Sequence, residues 1–64
     1  MSYKVKEARK EAGLTQEGLS IKSGISRTTI SGLESGRVTT ATTDTLTKIA
    51  RALNKTVAEI FFAD

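Results

Sequence analysis

The chain has 64 residues, 10 Lys and Arg against 7 Asp and Glu, and a formal charge of +3, which is enough for one small domain with a modest core. It has neither cysteine nor histidine, which excludes disulfides, thiol nucleophiles and the usual zinc ligand sets. No apolar run is long enough to cross a bilayer and no signal peptide is visible, while the basic balance suits a polyanion partner and plain solubility equally well.

Val5, Ala8 and Ala12 recur at helical spacing and predict a first helix from about Ser2 to Ala12. Glu7 and Glu11 lie near Lys10 and Lys6 on its solvent side and can pair with them. Gly13 then stops the helix as a left-handed residue would.

The stretch from Leu14 to Gly36, LTQEGLSIKSGISRTTISGLESG, holds two short helix patterns joined at Gly24. Thr15 is placed to cap a second helix from about Gln16 to Ser23, and Ser26 to cap a third from about Arg27 to Ser35. A side-chain oxygen at the N-cap accepts a bond from an orphan backbone N–H. Leu14, Leu19, Ile25, Ile30 and Leu33 let both helices face one core. Arg27, Thr28, Ser31 and Gly32 make up the remaining face of the third helix, all small or polar. This pattern is a helix-turn-helix, whose second member lies in the major groove of DNA.

Beyond Gly36 the run RVTTATTDT reads as a loop from Arg37 to Ala41, since Thr forms helices poorly and caps them well. Thr42 is the expected cap of a fourth helix from about Thr43 to Leu53, with Asp44 near its positive end. Its core stripe is Leu46, Ile49, Ala50 and Leu53, and Asn54 takes a left-handed stop. Thr56 and Glu59 fit a capping box that opens a short fifth helix through about Phe62. No proline, repeat, linker or strand pattern interrupts the chain. The expectation is an all-α, compact five-helix fold, with residues 1–64 as a single domain.

The segments LTQEGLS, SGISRTTISGLESGR and TLTKIARALNKTVAEIF resemble the phage repressor and Cro type of helix-turn-helix domain, the XRE family. The resemblance runs from about Val5 to Phe62. It implies a lambda repressor-like DNA-binding fold acting as a transcriptional regulator, usually a dimer on a two-fold operator. It also implies a cytoplasmic, nucleoid-associated protein of bacterial or phage type, with no cofactor and no small-molecule substrate.

On that basis the candidate DNA-binding residues are Gln16, Arg27, Thr28, Thr29, Ser31, Gly32, Arg37, Thr39 and Thr40. Gln16 opens the second helix, where exposed N–H groups and the helix dipole favour a phosphate, and the resemblance implies a backbone contact there. Arg27 can fork onto guanine O6 and N7 or hold a phosphate. A cation at a helix N-terminus opposes the dipole, so local helix electrostatics do not account for it. The resemblance turns Thr28 towards the groove and Thr29 towards its edge, where a Thr can also support the first turn. Ser31 follows one turn on. Gly32 departs from the longer polar side chain common at this place in the family, and either permits close approach to DNA or leaves a gap. Arg37, Thr39 and Thr40 either wrap a neighbouring phosphate or form a solvated loop. Lys22, Lys48 and Lys55 read as general surface charges.

Arg9 and Glu34 flank the apolar stripe, and the resemblance implies a structural ion pair between the first and third helices. Phe61 and Phe62 diverge by about 100° on a helix, so Phe61 is expected inside and Phe62 outside. Phe62 and Ile21 are candidates for a dimer interface. An enzyme is not expected, because no Ser or Thr has a base beside it. The leading reading is a sequence-specific regulator, in all expectation a repressor, on double-stranded DNA as a homodimer. The alternative is a protein-binding adaptor, antitoxin-like or co-regulatory, on the same fold.

Overall fold

A computed structural model describes residues 3–38 and 40–62. In chain order its elements are α1 (Val5–Glu11), α2 (Gln16–Ser23), α3 (Arg27–Ser35), α4 (Thr43–Ala52) and a closing π-helical turn, Ala58–Phe62. Among the described residues there is no strand.

Helix boundaries follow from local chemistry. The Gly18 N–H donates to Thr15 Oγ1 at 2.9 Å, the Thr29 N–H to Ser26 Oγ at 3.2 Å and the Thr45 N–H to Thr42 Oγ1 at 3.2 Å. Each bond satisfies one orphan donor of a helix start. Gly24 (φ 76°) and Gly36 (φ 82°) end α2 and α3 in the left-handed region, and Asn54 (φ 59°) does the same after α4. The capping box is reciprocal: the Thr56 N–H donates to Glu59 Oε1 at 2.9 Å and the Glu59 N–H to Thr56 Oγ1 at 3.2 Å. These bonds, the Thr56 backbone bond foremost, hold the Glu59 carboxyl below its ordinary range.

The first helix begins later than its periodicity suggests. It opens at Val5 rather than near Ser2, which lies outside the described residues. Lys4 has no side-chain cap bond, and its N–H instead donates to the Ile60 carbonyl at 2.9 Å. Tyr3 meets Phe61 edge-on, ring centroids 4.8 Å apart. The opening segment is therefore held against the closing turn by a long-range bond that no local pattern announces. At its other end α1 stops at Glu11, and Ala12, expected in the core stripe, is exposed. Glu11 reaches Lys55 Nζ at 3.5 Å.

Val5, Leu19, Ile30, Leu33, Ile49 and Ile60 are fully buried and join one cluster with Ala8, Ala50, Ala52, Leu53 and Phe61. The final turn is wider than an α-turn, so its adjacent side chains diverge less, and Ile60 and Phe61 both enter the core. Phe62 points out, 72% exposed.

The α2–α3 corner is stitched by two serines. Ser20 Oγ donates to the Ile25 carbonyl at 2.6 Å, and the Ile25 N–H donates to Ser23 Oγ at 3.2 Å. Ser23 is buried to do so. With the backbone polar groups of the turn satisfied, the relative direction of α2 and α3 is set.

Gly32 is not on the uncovered face of α3. It is buried, and a Cβ placed there would lie 2.5 Å from Val38 Cγ2 and 3.2 Å from Val38 Cβ. The Val38 N–H donates to the Gly32 carbonyl at 3.0 Å, so the loop folds back over the helix at this point. Helix propensity favours alanine over glycine by about 1 kcal/mol, but overpacking a filled site costs about 1–3 kcal/mol. Gly32→Ala is therefore expected to lower the urea midpoint, and adding Val38→Ala to restore part of it. An unchanged midpoint in the single variant would show that the loop yields without cost.

Candidate nucleic-acid interface

Arg27 and Thr28 occupy the exposed first turn of α3, just beyond the Ser26 cap. Ser26 Oγ also donates to Thr29 Oγ1 at 2.9 Å, which ties the half-buried Thr29 into the cap. Ser31 is half-buried one turn further on. These side chains meet two others in a shallow groove lined by Gln16, Arg27, Thr28, Ser31 and Arg37. Three elements thus converge: the start of α2, the open side of α3 and the loop behind α3. Two guanidiniums and no carboxylate line the groove, so it favours an anion.

The remaining predicted contacts fall elsewhere. Thr40 is exposed on the loop but does not line the groove. Thr39 lies outside the described residues. Gly32 faces Val38 instead of the surface, for the packing reason given above.

Behind the groove sits the Arg9–Glu34 pair. Arg9 Nε–H donates to Glu34 Oε2 at 2.7 Å and Nη2–H to Oε1 at 3.1 Å, a two-point contact between α1 and α3. Arg9 Nη1–H also donates to the Leu14 carbonyl at 2.8 Å. The side chains are 11% and 4% exposed. Burial alone would push the Glu34 carboxyl up, but hydrogen bonds from Arg9 and Gln16, with the charges of Arg9 and Lys6, leave it below its ordinary value. The hydrogen bond to Glu34 correspondingly holds Arg9 above its ordinary value, against desolvation.

Gln16 belongs to both assemblies. Its Nε2–H donates to Glu34 Oε1 at 3.2 Å while the side chain lines the groove. Sequence reasoning paired Arg9 with Glu34 but missed this third member. It also missed Ser20 and Ser23, although a serine directly before a helix-ending glycine is a recognisable turn signal.

A second hollow, between α1 and the closing turn, is lined by Lys4, Glu7, Ala8, Glu11, Lys55, Glu59 and Ile60. Its mixed charges give a polyanion no advantage. Ile21 on α2 is 79% exposed. Among the described residues no group of carboxylates could hold a metal ion, and no helix is long and apolar enough to cross a membrane.

The chain matches the helix-turn-helix family over residues 5–60. A protein of the archaeon Methanothermobacter thermautotrophicus, described as an "uncharacterized HTH-type transcriptional regulator", is 43% identical over 61 residues, covering 94% of this chain and 87% of that protein. No solved structure gives a significant match. Capped α2, glycine corner, capped α3 and the extent of the match agree: the chain belongs to the helix-turn-helix family of the phage repressor and Cro type.

Proposed function

We propose that this protein is a sequence-specific transcriptional repressor that inserts α3 into the major groove of an inverted-repeat operator as a homodimer. The observation that carries the reading is the acid-free groove where Gln16, Arg27, Thr28, Ser31 and Arg37 meet. Arg27 addresses a guanine edge or a phosphate, Thr28 and Ser31 donate to DNA, and Thr29 supports the first turn. Gln16 holds a phosphate at the start of α2, and we assign Thr39 and Thr40 as further phosphate contacts. Residues 1–64 act as one DNA-binding domain working in the cytoplasm at the nucleoid. The description of the archaeal relative as a transcriptional regulator supports the class of function.

A dimer presents two recognition helices about 34 Å apart, one turn of B-DNA. Ile21 and Phe62, both apolar and exposed, are the residues we assign to that contact. The same two side chains are what an adaptor reading would use to hold a protein partner.

The test is an electrophoretic shift on duplexes from beside the protein's own gene, with random-sequence competitor. Those duplexes are expected to bind in preference to competitor. The logarithm of the affinity should fall linearly with the logarithm of salt, with slope near −0.9 per phosphate neutralised. Equal binding to competitor and candidate operators would remove the sequence-specific reading.

A further inference from the structure

The glycine inside α3 and the loop behind it work as one device. Arg37 Nη2 lies 3.7 Å from where a Cβ of Gly32 would be, so the guanidinium rests over the glycine. Its backbone is fastened on both sides. The Arg37 N–H donates to Ser35 Oγ at 3.3 Å, that hydroxyl donates to the Gly32 carbonyl at 3.2 Å, and the Val38 N–H reaches the same carbonyl at 3.0 Å. From this anchor the side chain runs back along α3 and shares a groove with Arg27 and Thr28, which sit at the far end of the helix. The guanidinium lies on the helix flank where α3 has no side chain of its own.

We infer that Arg37 is a base-reading residue, its guanidinium laid from the loop over the point of the recognition helix where Gly32 has no side chain. The inference rests on the proposal that α3 enters the major groove, because a group lying on α3 enters with it. A guanidinium there meets base edges, and its planar fork matches guanine O6 and N7. Gly32 is then a positioning residue: without a Cβ, it lets Val38 close down and Arg37 lie flat.

The experiment selects duplexes from a randomised pool with the wild type, Arg37→Ala and Arg37→Lys, and measures each against single-base variants at several salt concentrations. The wild type should prefer guanine at one position per half-site. Both variants should lose that preference by roughly tenfold or more and keep the preferences at other positions. Arg37→Lys, which keeps the charge, should keep the wild-type salt slope. Gly32→Ala combined with Val38→Ala, checked for folding by circular dichroism, should lose the same single preference. The inference is overturned if Arg37→Ala weakens all sequences alike with a salt slope shallower by about one and Arg37→Lys binds as the wild type does, which is a phosphate clamp. That outcome leaves the operator reading intact. If the wild type itself selects no sequence, the operator reading falls and this inference falls with it.

Discussion

Glu34→Ala is expected to lower folding stability by about 3–5 kcal/mol, the usual cost of removing one partner from a shielded ion pair. The Arg9 guanidinium would keep the Leu14 carbonyl but lose both carboxylate bonds, and the Gln16 amide would lose its acceptor. Domains of this size have about 5–15 kcal/mol in total, and each kcal/mol moves Tm by about 4–8 °C. Thermal and urea unfolding followed by circular dichroism measure it directly. Arg9→Met together with Glu34→Leu should be less damaging than either single change, because no charge is then left buried alone. A Glu34→Ala midpoint equal to wild type would show that the pair does not hold α1 to α3.

The same residue sets an acid response. Glu34 is held below its ordinary value of 4.5 in the fold. Above that value it is charged in both folded and unfolded chains, and its stabilisation is fully present. As pH falls below it, the unfolded chain takes up the proton first, and the contribution fades until the folded-state value is passed. Stability measured at about pH 7 and about pH 3 should differ less in Glu34→Ala than in the wild type.

Arg27→Ala is expected to reduce operator affinity by roughly 5- to 150-fold, the range of one good bidentate base contact. Folding stability should be unchanged or slightly higher, since a cation opposing the helix dipole has been removed from the start of α3. That split between weaker binding and undiminished stability marks a ligand-facing residue. Titration of labelled operator and a parallel melting curve measure the two halves. An adaptor would keep its protein partner and its cellular effect in this variant, whereas retained operator affinity would remove Arg27 from the interface.

The parts legible in the sequence are those governed by neighbours along the chain. Thr15, Ser26 and Thr42 cap because a hydroxyl needs only an N–H three residues on, and Gly24, Gly36 and Asn54 stop helices by their own backbone freedom. Leu19, Ile30, Leu33 and Ile49 are buried where helical period places them. What period cannot carry is contact between distant segments. The Lys4–Ile60 bond delays α1 until Val5, and Val38 covers Gly32 from an irregular loop that has no period to read. The Gln16–Glu34 bond depends on how α2 lies against α3, which is a property of the packed molecule. Gln16, Arg27, Thr28, Ser31 and Arg37 were candidates and do line the groove, but Gly32, placed by period on the same face, is buried, and the supports of the groove could not be read along the chain.

The amide of Lys4 resting on the carbonyl of Ile60 closes the fold into a circuit. The first helix leans on the last turn on one side and clasps α3 through Arg9 on the other. A protease nicking the final turn would strip Ile60 and Phe61 from the interior and slacken that first helix, so the groove on the opposite element would disperse without ever being cut.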